Sequence, residues 1–172
     1  IDELCDIFDL NAIKGNRPFK DAAYLNYRYF DHPLYEYTVL GVKKPICPVT
    51  SLIIGRKVEQ NGSKAFRIVD FMGEQEDLSF VGAALDDLLC SNDFEYVDMY
   101  CYGIDHEHLT LGGFSLKADD VNIIPNYFEP YVKKNVNIYF FYTGLDKAII
   151  CKADGDQDRP NVVPKELLNK NE

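Results

Sequence analysis

The chain has 172 residues, of which 47% are hydrophobic and 27% charged, and its formal net charge is -10. This length suits one globular domain, and the hydrophobic fraction excludes disorder throughout. The excess of acidic residues argues against a nucleic-acid backbone or an anionic membrane surface as the main partner, because both would be repelled.

The first half of the chain predicts a helix followed by an antiparallel meander. Residues 1–20 are expected to be a loosely held lead-in or linker. Asp21 to Phe30 has apolar residues at helical spacing, with Asp21 as N-cap and His32-Pro33 ending the helix. The β-rich runs that follow, joined at one end by an Asn-Gly turn, predict three strands, which are Tyr35–Val42, Val49–Glu59 and Lys64–Phe71.

The second half alternates between element types. Leu78 to Cys90 shows the apolar stripe of an amphipathic helix, and Tyr96 to Tyr102 is β-rich. Further expected features are a polar loop or short helix at 105–109, a glycine break at 112–113, a helical turn at 126–132, and two more strands at 137–143 and 148–152. The order predicts a mixed α/β or α+β domain over residues 21–163, followed by a polar tail at 164–172.

The sequence also bears on the compartment. No apolar run approaches the roughly 20 residues of a membrane span, and the first residues lack the features of a signal peptide. The five cysteines are scattered and include no CxxC pair, which favours a reducing cytoplasm over a disulfide framework. The absence of an initial Met points to a piece of a longer protein.

Three stretches resemble the GNAT acyltransferase superfamily, and more closely the GNAT-like domains of bacterial surface-polysaccharide biosynthesis proteins. The first is YLNYRY at 24–29 with His32-Pro33 and Tyr35-Glu36-Tyr37, although Tyr27 replaces the usual Trp. The second is RIVDF at 67–71, in the place of the fourth GNAT strand. The third is DGDQDRPN at 154–161. The resemblance spans about residues 20–161 and implies a largely antiparallel central sheet flanked by helices.

The resemblance implies an N-acyltransferase that uses acetyl-CoA or another acyl-CoA and acts on an amino sugar. Asp70 or Glu74 would be the base and Tyr131 or Tyr142 the acid. The pantetheine and pyrophosphate would lie against the end of the fourth strand, at Phe71, Met72 and Gly73. The strand Lys64–Phe71 is then expected to be interior and to diverge from Tyr96–Tyr102.

The stretch 72–80, MGEQEDLSF, departs from the family's glycine-rich, basic phosphate loop. It contains one Gly, no Lys or Arg, and the carboxylates of Glu74, Glu76 and Asp77. Two like charges 4 Å apart repel each other by about 1 kcal/mol in water and by about 4 kcal/mol at an effective dielectric of 20. The three carboxylates therefore oppose the binding of a pyrophosphate. The alternative function is therefore a non-catalytic sugar-recognition or dimerisation domain that packs on a partner domain or on its own copy.

Candidate substrate-binding residues follow from the first and third stretches. They are Arg28, His32, Tyr35, Asp156, Asp158 and Arg159. Arg28 can hold a phosphate or carboxylate, or pack on the tyrosines as a structural residue. The tyrosines themselves form core packing or a platform for sugar stacking. We expect residues 154–161 to be ordered.

Two further patterns allow a metal, although we predict none. Asp154, Asp156 and Asp158 have the spacing that opens a calcium loop, but Arg159 and Lys165 stand where an EF-hand needs Gly and Glu. A turn in which the Asp side chains cap backbone N–H groups is the simpler interpretation. The DHEH run at 105–108 is interpreted as a polar loop, and Cys101 as a buried strand residue rather than a nucleophile.

Overall fold

A four-stranded sheet forms the centre of the computed structural model, which describes residues 1–118, 121–125, 132–143, 148–155 and 157–160. Its strands, in spatial order, are β1 (Thr38–Lys43), β2 (Val49–Gln60), β3 (Ser63–Gly73) and β4 (Tyr96–Met99). The first three are antiparallel, and β4 is parallel to β3. A second, antiparallel sheet contains β5 (Cys101–Tyr102) and β6 (Ile150–Cys151). The predicted mixed α+β class is confirmed.

Helices flank the sheets. The α-helices are α1 (Asp2–Ile7), α2 (Ala22–Leu25), α3 (Gly82–Asn92) and α4 (His106–Leu111). A π-helical turn, Asn26–Phe30, extends α2, and 3-10 segments occupy Gln75–Phe80 and Lys152–Asp154. Within the described residues, no helix combines the length and the apolar character needed to cross a membrane.

Local signals explain several of these boundaries. The Asp21 side chain accepts a hydrogen bond from the Tyr24 backbone N–H, which confirms it as the N-cap of α2. Asn61 and Gly62 have φ values of 54° and 86°, as a tight hairpin turn between β2 and β3 requires. The predicted helix Leu78–Cys90 is instead divided, because a 3-10 segment ends at Phe80 before α3 begins at Gly82.

The sheet is covered on both faces because β2 and β3 carry apolar residues in alternation. Leu52, Ile54 and Met72 pack against α2 and the N-terminal residues, whereas Ile53 and Phe71 pack against α3. The expectation that residues 1–20 are loosely held is wrong. Leu4, Phe8 and Ile13 belong to the first of these cores and Lys20 is buried, so the lead-in is held by the hydrophobic effect.

The strands β3 and β4 pair only from Ala65–Tyr96 to Ile68–Met99. Beyond Met99 the chain joins the second sheet, where Cys101 is opposite Cys151. The predicted strand Tyr96–Tyr102 is therefore broken at Tyr100. The strand β3 is interior and diverges from this neighbour, as expected.

Two other strand predictions need correction. The first strand begins at Thr38 rather than Tyr35, because Tyr35 and Tyr37 belong to the cluster described below. The run 137–143 forms no strand in the part of the chain that the structure describes, and Tyr139 and Phe141 are almost fully exposed. Since β propensity reflects packing on a half-buried surface, it forms no strand without such a surface. The helical turn predicted at 126–132 lies almost wholly outside the described residues.

Candidate functional site

A buried carboxylate connects two distant stretches of the predicted substrate site. Asp158 is 1% exposed. Its Oδ1 accepts hydrogen bonds from Arg56 Nε at 2.9 Å and pairs with Arg56 Nη2 at 2.8 Å. Its Oδ2 accepts a hydrogen bond from the Tyr37 hydroxyl at 2.7 Å and lies 3.3 Å from Arg28 Nη2. Arg28 Nη2 also donates to the Asp158 carbonyl oxygen at 2.8 Å. The helix-to-strand junction and the DGDQDRPN stretch thus meet at one point.

Aromatic rings cover this cluster. The Arg56 guanidinium lies 3.9 Å from the centroid of the Tyr35 ring, and the His32 ring stacks on Tyr35 at 5.1 Å with an interplanar angle of 7°. His32 Nδ1 accepts hydrogen bonds from the backbone N–H groups of Leu34 and Tyr35 at 3.2 and 2.9 Å. Nδ1 is therefore an acceptor, and the proton of the neutral ring resides on Nε2.

The electrostatics of this surface favour an anion. Burial, then the charge of Arg28, lowers the pKa of His32, so the ring is neutral near pH 7. Burial, followed by the charge of Asp158, raises the pKa of Tyr37 and keeps its hydroxyl protonated. Among the described residues, the two arginines share the single carboxylate of Asp158. Their side chains are 16% and 10% exposed, so the cluster reaches the surface.

The predicted base Asp70 lies in a different, fully buried cluster. Lys20 Nζ is 2.5 Å from Asp70 Oδ1 and 2.7 Å from Asp154 Oδ1, and the Tyr29 hydroxyl donates to Asp70 Oδ2 at 2.5 Å. Burial disfavours the Lys20 charge, but the two carboxylates outweigh it and raise its pKa. Asp70 is 0% exposed, and its pairing with Lys20 holds the N-terminal segment to β3.

The space where β3 and β4 diverge is occupied by the chain itself. Both β6 and the 3-10 segment after it contact β3. The Phe71 N–H donates to Asp70 Oδ1 at 2.9 Å, although Phe71 is opposite Ile53 of β2. This amide therefore points away from β2 and already has an internal acceptor. Phe71 and Met72 are buried.

The acidic stretch after β3 has two kinds of carboxylate. Glu74 and Glu76 are exposed, whereas Asp77 is buried and accepts hydrogen bonds from Thr50 Oγ1 at 2.5 Å and Ser51 Oγ at 2.6 Å. Asp77 thus fastens the 3-10 segment to β2, and treating it as a free loop charge was wrong. Gly73 has a φ of 125°, and a Cβ there would lie 2.3 Å from Ser51 Oγ.

The remaining predicted residues are Tyr142, Arg159, Tyr131 and Asp156. Tyr142 is exposed, and its hydroxyl lies 2.9 Å from that of Tyr102. Arg159 is exposed. Tyr131 and Asp156 lie outside the described residues. The described residues 154, 155 and 157–160 are tied to the domain through Asp154 and Asp158.

Sequence reasoning missed Arg56, Tyr37, Lys20 and Tyr29 as members of these clusters. Arg56 interrupts the apolar run of β2, and a basic residue inside a buried strand signals a buried partner. Tyr37 was noticed only as part of the YEY run. Lys20 was assigned to a loose linker, and nothing local marks it as the partner of a residue 50 positions away.

Several carboxylates of the two metal patterns have internal hydrogen-bond partners among the described residues. Asp154 accepts a hydrogen bond from the Cys151 N–H at 2.7 Å, which matches the backbone-capping interpretation. Oxygen and sulfur atoms of Asp70, Cys151 and Asp154 lie within 4.8 Å of one another, and the Lys20 ammonium is the cation between the carboxylates. The DHEH run forms the start of α4, where Asp105 accepts a hydrogen bond from the Glu107 N–H.

A cavity of about 920 Å³ lies along β4 and β5 between α3, α4 and residues 112–117 and 122–124. No described residue of the predicted site lines it. Comparison of the chain with protein-family models, with curated proteins and with solved structures gives no match.

Proposed function

We propose that the chain is a GNAT-like domain of a bacterial polysaccharide or amino-sugar biosynthesis protein, and that it recognises an anionic sugar derivative at the surface around Arg28, His32 and Tyr35. The observation that carries the proposal is the cluster around Asp158, whose carboxylate pairs with Arg28 and Arg56. Tyr35 packs on the Arg56 guanidinium, and His32 stacks on Tyr35. Two guanidiniums share one carboxylate beneath half-exposed rings, in a chain that is otherwise strongly acidic.

The chemistry of the surface defines the ligand class. A sugar ring stacks on aromatic faces, and the outer face of His32 with its Nε2–H offers one apolar and one donor contact. The positive charge that Asp158 leaves uncompensated favours a carboxylate or phosphate group. A uronic acid or a nucleotide-linked amino sugar combines both features.

Calorimetric titration with UDP-N-acetylglucosamine, UDP, N-acetylglucosamine and glucuronate tests the proposal. Arg28→Lys keeps the charge but loses the planar fork, and should weaken binding of the anionic probes about tenfold, or about 1.4 kcal/mol. His32→Asn keeps an acceptor near the Leu34 and Tyr35 amides and removes the ring. It should weaken the binding of every probe that contains a hexose.

Lys57→Gln is the matched control, because it removes a cation that is 54% exposed and pairs with Glu59. Lys57 directly follows Arg56 in β2, and successive side chains of a strand project from opposite faces. Its affinities should equal those of the native chain. Absence of binding for all four probes at millimolar concentration, in a protein with a native melting temperature, would refute the proposal.

The second candidate is an acyl-CoA-dependent N-acyltransferase, which the divergence of β3 from β4 favours. The buried Asp70 and the internally bonded Phe71 amide oppose it. A functional site would raise the free energy of unfolding by about 2.7 kcal/mol at acetyl-CoA concentrations of 100 Kd, a shift of several degrees. We expect no shift, either for the native chain or for the variant with Glu74→Gln and Glu76→Gln.

A further inference from the structure

Two free cysteines stand directly opposite each other in the second sheet. Cys101 of β5 is the register partner of Cys151 of β6. Side chains of opposite residues in an antiparallel pair project from the same face, and both thiols pack in the core on the α3 side. They lie 50 positions apart in the sequence, so only the fold brings them together.

The hydrogen bonds identify the type of pair. The Cys151 N–H donates to the Asp154 carboxylate at 2.7 Å, and is therefore not exchanged with the carbonyl of Cys101. Cys101 and Cys151 consequently form a non-hydrogen-bonded pair, in which opposite Cα atoms are about 4.5 Å apart and the side chains are closest. This separation lies within the range of about 4.4–6.8 Å that disulfides span.

We propose that Cys101 and Cys151 are a redox-sensitive pair that forms an intramolecular disulfide and thereby fastens β6 to β5. The oxidant is a low-molecular-weight disulfide such as oxidised glutathione. The half-buried Cys101 thiolate attacks one sulfur of the oxidant and releases one glutathione thiolate. The Cys151 thiolate then attacks the Cys101 sulfur and releases the second. The two protein thiols lose two electrons and two protons, and the oxidant becomes two thiols.

The consequence concerns the segment that fills the space between the diverging strands. Directly after β6 come Lys152–Asp154, whose Asp154 pairs with Lys20, and then Asp158 with its two arginines. A covalent link at Cys151 restricts local opening of this segment. The disulfide therefore stabilises the segment 150–154 beside β3, where the Cys151 sulfur of the reduced form accepts a hydrogen bond from the Asp154 backbone N–H.

Burial sets the conditions of the test. It raises the pKa of Cys101 to about 11 and also raises that of Cys151, so few thiolates exist at neutral pH. Oxidation is best followed at pH 8.5 over hours. The exposed residues Cys5, Cys47 and Cys90 are changed to Ser, so that the remaining thiols belong to the proposed pair.

In this two-thiol protein, excess oxidised glutathione should produce a monomer lighter by two hydrogen atoms. Tryptic digestion without reductant should link the peptide 148–152 to the peptide that contains Cys101. The melting temperature should rise by about 5–10 °C, because the bond closes a loop of about 50 residues. Amide exchange at 150–154 should slow, and dithiothreitol should reverse all of these changes.

Cys151→Ser in the same background is the control. It should retain a glutathione adduct on Cys101 and show no rise in melting temperature. Three results would each overturn the proposal. They are persistence of both thiols in the folded two-thiol protein, accumulation of the Cys101 adduct without closure, and a disulfide-linked dimer. If the Ser substitutions perturb folding, fragmentation of the linked tryptic peptides of the oxidised native chain gives the same decision, because it separates Cys90 from Cys101 within the peptide 68–117.

Discussion

Replacing Asp158 with Asn tests the buried arginine cluster, because it removes the charge and preserves the volume. Each carboxylate oxygen accepts hydrogen bonds: Oδ1 from Arg56, and Oδ2 from Tyr37. An Asn amide has one acceptor oxygen, so its NH2 group must face a donor on the other side. The two guanidiniums also lose the negative charge that compensates their burial.

The expected cost follows from removal of one partner of a buried ion pair, which is about 3–5 kcal/mol. That is a large part of the roughly 5–15 kcal/mol that stabilises a typical domain. With a urea m-value of about 2–3 kcal/mol/M, the unfolding midpoint should fall by about 1–2 M. Urea titration followed by circular dichroism gives the midpoint and the m-value together.

Asp87→Asn is the matched control, since Asp87 is exposed on α3 and should change stability by less than about 0.5 kcal/mol. If Asp158→Asn unfolds at the same urea concentration as this control, the carboxylate is not a net stabiliser. The account of the cluster as a charge-compensated core would then be wrong.

Gly73→Ala should destabilise the protein by about 3 kcal/mol or more, because the φ of Gly73 is positive and the new Cβ meets Ser51 and Thr50. Gly15→Ala is the control, because open space surrounds Gly15, and it should change the free energy of unfolding by less than about 0.5 kcal/mol in the same urea assay. A third test concerns Lys152, whose pKa is lowered to about 8 by burial and then by Arg67. Between pH 8 and 9.5 the unfolded chain binds a proton at Lys152 that the folded chain has released, so the native protein should gain about 1.5 kcal/mol relative to Lys152→Met. Over the same pH range the buried thiols lower the free energy of unfolding of both proteins. Equal slopes of this free energy against pH in the native protein and in Lys152→Met would refute the assignment.

Local rules predicted the β2–β3 hairpin and the start of α2 because their causes are local. Asn61-Gly62 specifies a tight turn through its backbone preferences, and Asp21 caps a helix only three residues away. The interior position of β3 follows from the GNAT-like order of elements rather than from its own residues, because Arg67 and Asp70 interrupt its apolar run. In the site, Arg28, His32 and Asp158 were identified from the resemblance, and the structure brings these three together.

The errors arise where long-range packing decides. The role of Asp70 depends on Lys20, which is 50 positions away, and no local pattern distinguishes a catalytic carboxylate from a buried one with an ammonium partner. Asp77 looked like a loop charge because its acceptor role depends on Thr50 and Ser51 of β2. The run 137–143 has high β propensity, but propensity does not specify a pairing partner.

The distance in sequence between Asp158 and its arginines has a consequence for biosynthesis. Asp158 follows Arg28 by 130 residues and Arg56 by 102. At about 5–20 residues per second, a ribosome needs roughly 5–25 s to make the carboxylate after the guanidiniums have been polymerised. Until then the sheet holds two buried cations without their counter-charge. Completion of this cluster therefore waits for translation of residue 158, and a chain that stops before it should be cleaved by proteases more readily than one that includes it.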